Sequence, residues 1–280
     1  MKIAFSPCPN DTFVFHAWAH GLIPGAPRLD ITYADIDVTN GLAASGKGPE
    51  VLKISYAALP WVLSDYALIP CGGALGRGCG PLVLTAGQET AQPPDPARLS
   101  GRRVAVPSER STAYLLFRLW AAQAVPGGVG EIVVLPFDKI MPAVRDGEVD
   151  AGLVIHEARF TYPSYGLSLM TDLGSWWEQD TGLPIPLGAI IARRSLDLEA
   201  IAEWTRQSVQ YAWAHPDSSR EYVMKHAQEL SPEVADAHIK LYVNQYTESL
   251  GDDGYAAVTA LLNRAAEEGL VPEIQPVLLR

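Results

Sequence analysis

Ile3-Ala4-Phe5-Ser6-Pro7-Cys8-Pro9-Asn10-Asp11-Thr12-Phe13 opens the chain as a short apolar strand that breaks into a polar turn bounded by prolines. The prolines interrupt a strand ladder, and Asn10, Asp11 and Thr12 are residue types that cap helices, so a helix is expected from there through residues 13–21. Strand, polar turn, helix is the repeating unit of an α/β fold. The turn is either a plain connection that caps a helix or a place to hold a small anion, and this stretch alone leaves both open.

The same unit recurs along the chain. Residues 29–38 read as a strand, 39–45 as a helix, 51–55 as a buried strand, 56–64 as helical and 66–71 as a strand. The glycine cluster from Gly72 to Gly80 follows, rich enough to let backbone approach a ligand or to act as a hinge. It lacks the lysine and hydroxyl of a phosphate loop and continues into a strand at 81–85. Residues 91–97 are a proline-rich surface loop. From Gly101 a second set begins: strand 103–106, turn 107–111, helix 112–124, strand 131–135, helix 138–146, and strand 151–155 running into His156-Glu157. Residues 189–192 form a return strand, and 198–214, 219–228, 232–246 and 253–268 read as helices.

A chain that leaves one α/β lobe near residue 85 and returns near 188 has two interlobe crossings. The fold class expected is therefore α/β, two-lobed and periplasmic-binding-protein-like (type II), with a helical C-terminal region. Residues 1–85 and 189–280 form the first lobe and 86–188 the second.

Composition narrows the function. Of 280 residues, 48% are hydrophobic and 19% charged, as in an ordinary globular protein. Asp and Glu outnumber Lys and Arg 32 to 21, for a net charge of −11, which argues against a nucleic-acid partner. No export signal and no apolar run near the roughly 20 residues of a membrane span is visible, so a cytoplasmic protein with no membrane partner is expected. Cys8, Cys71 and Cys79 are odd in number and read as free thiols.

In open α/β sheets ligands bind beyond the carboxyl ends of the strands. Asn10-Asp11-Thr12, Lys53 with Ser55, Ser111-Thr112 and His156 all fall at such ends, facing a cleft between the lobes. Ser111 or Thr112 starts a helix whose first amides suit a carboxylate or phosphate, or simply caps it. His156 is either a histidine satisfied by Glu157 or a backbone carbonyl, or a general base for chemistry near pH 7. His16 and His20 have a metal-pair spacing but no third ligand placed to help, and His215, His226 and His238 belong to the helical tail and read as structural. Cys8 is a packing residue, or a thiolate nucleophile at a helix start.

Ser6-Pro7-Cys8-Pro9-Asn10-Asp11-Thr12-Phe13, Lys53-Ile54-Ser55-Tyr56-Ala57, Gly72-Gly73-Ala74-Leu75-Gly76-Arg77-Gly78, Ser111-Thr112-Ala113-Tyr114 and Ile155-His156-Glu157-Ala158-Arg159-Phe160-Thr161-Tyr162 occur in this order. Together they resemble the 1,4-dihydroxy-6-naphthoate synthases of the futalosine route to menaquinone, nearly end to end. The resemblance implies a cofactor-free lyase acting on cyclic dehypoxanthine futalosine, with dihydroxyacetone as the second product, chemistry that demands no metal. It implies His156 as proton acceptor and substrate contacts at Lys53, Ile54, Ser55, Thr112 and Ala113. Ser111 stands where the family carries a threonine, and the hydroxyl is kept. Asn10, Asp11 and Arg77 complete the candidate contacts to a small-molecule carboxylate, in a monomer or homodimer. The alternatives are the sister enzyme chorismate dehydratase and a non-catalytic binding protein for a small carboxylate.

Overall fold

The computed structural model describes residues 1–87, 94–227 and 231–279. Of the expected proline-rich loop 91–97, residues 91–93 lie outside the described residues, as does residue 228 at the end of the expected helix 219–228. The chain divides into two units, Met1–Gly76 with Pro186–Arg280, and Arg77–Ile185.

In chain order the first unit supplies β1 (Lys2–Phe5), α1 (Pro9–Ala19), β2 (Asp30–Tyr33), α2 (Ile36–Ala44), β3 (Val51–Ser55), a 3-10 turn (Tyr56–Trp61) and β4 (Tyr66–Gly76). The second holds β5 (Leu82–Ala86), β6 (Val104–Val106), α3 (Thr112–Ala124), β7 (Ile132–Val134), α4 (Phe137–Arg145), β8 (Ala151–Val154), α5 (Ala158–Thr161), β9 (Leu167–Asp172) and α6 (Leu173–Thr181). The chain then returns through β10 (Ile185–Arg193) to α7 (Leu198–Ala214), α8 (Arg220–His226), α9 (Pro232–Tyr242), α10 (Gln245–Glu248) and α11 (Gly251–Glu267).

Each unit is built on a five-stranded mixed sheet, ordered β2-β1-β3-β10-β4 in the first and β7-β6-β8-β5-β9 in the second. β1 runs parallel to β2 and β3, while β10 pairs antiparallel with β3, Gly188 opposite Ser55. Likewise β6 is parallel to β7 and β8, and β5 is antiparallel to both β8 and β9. From the β2 and β7 edges through β10 and β5, the two sheets share one plan. β3 is buried along its whole length, as a central strand covered on both faces must be.

The C-terminal helices complete the first unit's core. α1 is buried from Pro9 to Trp18, an all-round burial that requires cover on every side. α7, α8 and α9 all pack on it, and Ser208 of α7 donates a 2.6 Å hydrogen bond to the Val14 carbonyl. Ile3, Phe5, Phe15, Trp18 and Ile190 lie at the centre of this core, whereas Leu84, Ile140, Val144 and Val154 lie in a separate core of the second unit.

The structure departs from the sequence reading in places that have physical causes. β4 extends through the glycine cluster to Gly76, because those glycines serve packing. A Cβ on Gly72 (φ 76°) would meet Thr205 Cγ2 at 2.6 Å, and one on Gly73 would meet the Gly188 carbonyl at 2.6 Å. The strand expected at 81–85 pairs with β8 and β9 in the second sheet, although the sequence boundary put it in the first lobe. β9 and α6 had no counterpart in the sequence reading. Asp172 ends the strand and caps the helix at once, accepting from the amides of Gly174 and Ser175 at 2.9 and 3.3 Å.

Candidate active site

At the first strand-to-helix turn, Cys8 precedes Pro9 and is therefore held in extended backbone (φ −59°, ψ 150°), while Pro9 presets helical φ at the first helical position. The helix starts at Pro9. Asn10, Asp11 and Thr12 thus occupy its first turn instead of capping it, and the amides of Asp11 and Thr12 both bond the Cys8 carbonyl at 3.1 Å. Ser6 Oγ donates to Cys8 Sγ at 2.9 Å.

The side chains of that turn point into a buried polar chain. Asn10 Nδ2 donates to Asp11 Oδ1 at 2.8 Å, and the ammonium of Lys53, from the middle of β3, is ion-paired to the same oxygen. At the other end of the Asn10 amide, Oδ1 lies 3.1 Å from His238 Nε2. Relative exposures of 7% for Asn10, 2% for Asp11, 5% for Lys53 and 1% for His238 leave no solvent to compensate these groups. Asp11 is what makes a buried Lys53 charge tolerable.

Ser55, two residues along β3, faces the same side of the strand as Lys53, and Ile54 the other. Asn40 of α2 grips Ser55 twice, donating from Nδ2 to Oγ at 3.0 Å and accepting the backbone N–H at 2.8 Å. Because Oγ accepts that bond, the hydroxyl proton remains to donate elsewhere. Gly188 lies opposite, and a Cβ there would come within 2.8 Å of Lys53 Cε. Ile54 is fully buried, so its side chain packs the core and only its backbone could serve a ligand.

In the second unit, Ser111 caps α3 as the sequence reading expected. Its Oγ accepts from the Tyr114 amide at 3.1 Å and donates to the Ser108 carbonyl at 3.0 Å. Thr112 and Ala113, both buried, form the first turn, where amides have no carbonyl within the helix to bond. Just beyond β8, His156 adopts φ 55°, the single non-glycine positive φ among the described residues, its ring edge-to-face with that of Phe137, centroids 5.5 Å apart at 84°. Arg77 bonds the Gly182 carbonyl at 2.9 Å and lies 3.6 Å from Glu178, which makes it an anchor for the end of α6.

The structure thus joins Asn10, Asp11 and Lys53 in one network and puts Ser55 beside Lys53 on β3. Ser111, Thr112 and Ala113 share a helix start, and His156 stands on its own strained turn. Sequence reasoning missed Asn40 and His238. An asparagine inside a helix was the available hint for the first, since Asn prefers caps, whereas nothing local distinguishes His238 in α9. Burial pushes the thiols of Cys71 and Cys79 up to about 12, so neither is a nucleophile at neutral pH. Among the described residues no group of three His, Cys, Asp or Glu side chains could hold a metal ion, and no helix is long and apolar enough to cross a membrane.

Two five-stranded mixed sheets followed by C-terminal helices are the periplasmic-binding-protein-like α/β fold. The periplasmic aliphatic sulphonate binding protein of Escherichia coli is similar in structure, with a TM-score of 0.69 at 13% identity over 100% of this chain and 91% of that one. A family model described as menaquinone biosynthesis matches residues 1–267. The 1,4-dihydroxy-6-naphtoate synthase of Streptomyces coelicolor is 67% identical over 279 residues, covering 99% of this chain and 96% of that protein. The enzyme of that name from Thermus thermophilus is 46% identical, covering 100% of this chain and 99% of its own. The chain belongs to this menaquinone-biosynthesis family of 1,4-dihydroxy-6-naphthoate synthases and is an enzyme.

Proposed function

We propose that this enzyme converts cyclic dehypoxanthine futalosine into 1,4-dihydroxy-6-naphthoate and dihydroxyacetone, with His156 as the general base. Full-length identity of 67% to a synthase is the observation that carries the reaction. The role of His156 is supported by its backbone, since a left-handed φ of 55° costs a non-glycine residue energy and such strain clusters at active sites.

Breaking a carbon–carbon bond beside a carbonyl requires a base to take a proton and donors to hold the enolate oxygen that develops. Formation of an aromatic product drives the step forward. In this reading His156 takes the proton that starts fragmentation. Lys53, or the helix start at Thr112, holds the substrate carboxylate, and hydroxyls such as those of Ser55 and Ser111 orient the polar groups of the substrate. The base of this reading lies in the second unit.

The test is to incubate the purified protein with the cyclic substrate and, separately, with chorismate, following the naphthoate chromophore. Naphthoate from the cyclic substrate is expected, and consumption of chorismate instead would overturn the reading. His156→Ala is expected to fold and to lose at least about a hundredfold in kcat, the scale of a lost general base. Near-normal turnover would remove His156 from that role.

A further inference from the structure

We propose that His238 is a positioning residue for Lys53, acting through Asn10 and Asp11; the inference rests on the reading of Lys53 as a substrate contact. The direction of each bond in the chain follows from chemistry. An ionised carboxylate only accepts, so Asp11 Oδ1 must receive the amide end of Asn10 as well as the Lys53 ammonium. That fixes the Asn10 side chain with its carbonyl oxygen turned the other way, toward His238 Nε2 at 3.1 Å. A carbonyl oxygen accepts, so His238 carries a proton on Nε2. The sequence of donors is His238 to Asn10, Asn10 to Asp11, and Lys53 to Asp11.

This arrangement sets a direction as well as balancing charge. An ammonium has three N–H bonds, and the one given to Asp11 determines where the remaining two point. Asp11 sits buried in the first turn of α1, and the Asn10 amide on the same oxygen adds a second bond that fixes its carboxylate. His238 in turn locks the Asn10 rotamer and amide orientation. Outer-layer bonds of this kind orient the groups that meet a ligand in many sites. Simple burial of a ring is already provided for His238 by Tyr242, whose ring centroid lies 4.5 Å away. The bond to Asn10 is additional. It also gives the C-terminal helices a chemical task, because α9 carries His238 to a turn 228 residues earlier in the chain.

The experiment is steady-state kinetics on the full chain with the cyclic substrate, for Lys53→Met, His238→Ala, His238→Gln, Asn10→Ala and the His238→Ala/Asn10→Ala pair. Lys53→Met is expected to raise KM by more than about thirtyfold and His238→Ala by about tenfold, the latter with kcat within about threefold of the parent, as lost uniform binding predicts. His238→Gln, which can still present an N–H to Asn10, is expected to recover most of the KM. The pair is expected to be no worse than Asn10→Ala alone, because both changes cut one chain. A folded His238→Ala enzyme with parental KM, or multiplicative effects in the pair, overturns the inference while leaving the Lys53 reading intact. An unchanged KM in Lys53→Met removes both. Should His238→Ala not fold, nitrogen NMR of histidine-labelled parent protein decides: a proton on Nε2 of His238 supports the chain, and a bare Nε2 overturns it.

Discussion

The two units use one sheet plan and arm it differently. β3 in the first and β8 in the second hold equivalent places beside the strand that leads into the first long helix. β3 carries a lysine inward, covers its charge with Asp11, and ends in a serine that Asn40 holds by two hydrogen bonds. β8 is apolar throughout, and past its end His156 is held in a left-handed backbone with its ring edge-to-face with that of Phe137. The helix starts differ in the same sense. α1 has no side-chain cap and relies on Pro9 and buried polar bonds, whereas α3 has the Ser111 cap. Charge is thus stored dry and paired in one unit, while the group proposed to move a proton stands on a short turn in the other.

The largest effect that sharpens this contrast is expected from Asp11→Ala. It leaves the Lys53 ammonium buried without its partner, a change that costs about 3–5 kcal/mol where it has been measured. Urea unfolding should show that loss, and Asp11→Ala/Lys53→Met should regain most of it. Ser111→Ala, the matching removal in the second unit, should cost only about 1 kcal/mol as a lost cap. Equal losses at the two places would dissolve the distinction between stored charge and simple capping.

How far the chain could be read from its sequence follows the same division. Strand ends and helix starts were legible wherever a local rule governs them: α3 and α7 fall where the residue pattern put them, and Ser111, one of the two cap candidates, is the cap of α3. The polar clusters at the ends of β1, β3, β6 and β8 were legible for the same reason. What could not be read depends on groups distant in sequence. Nothing near Asp11 signals that its carboxylate is committed to Lys53, and nothing in α9 signals that His238 reaches Asn10. The extension of β4 through its glycines was missed for a related cause. A glycine demanded by Thr205 or by the Gly188 carbonyl looks, in sequence, like one demanded by a loop.

An intermediate effect is expected on acidification. Five of the 6 histidines, all but His156, fall in the first unit. His16 of α1 has its pKa lowered from 6.5 to about 4, first by burial and then by the neighbouring charge of His20, whose ring is 4.4 Å away. Its Nδ1 is buried with no hydrogen-bond partner among the described residues. The folded state therefore keeps His16 neutral down to about pH 4, while the unfolded chain takes up a proton from about 6.5. Stability fully present above 6.5 is lost as pH falls through that window, by about 2 kcal/mol between pH 7.5 and 5. His16→Leu should flatten the dependence. Hydrogen exchange should show α1 and α8 opening before the elements of the second unit, and uniform opening would contradict the difference between the units.

The smallest effect tests the second unit's side of the contrast. Holding a residue with a Cβ in left-handed backbone costs roughly 1–2 kcal/mol, and glycine escapes that cost. His156→Ala keeps the strain and loses the contact with Phe137, an aromatic pair of the kind that contributes about 0.5–1.5 kcal/mol. His156→Gly loses the same contact but relaxes the backbone, offset in part by the greater freedom of glycine in the unfolded chain. Both variants should lose at least about a hundredfold in kcat, yet the glycine variant should be the more stable of the two by about 1 kcal/mol in urea unfolding. That ordering would mean the second unit gives up stability to aim one imidazole. If alanine proved equal to glycine, the turn would be unstrained, and the backbone of His156 would cease to argue for its role as base.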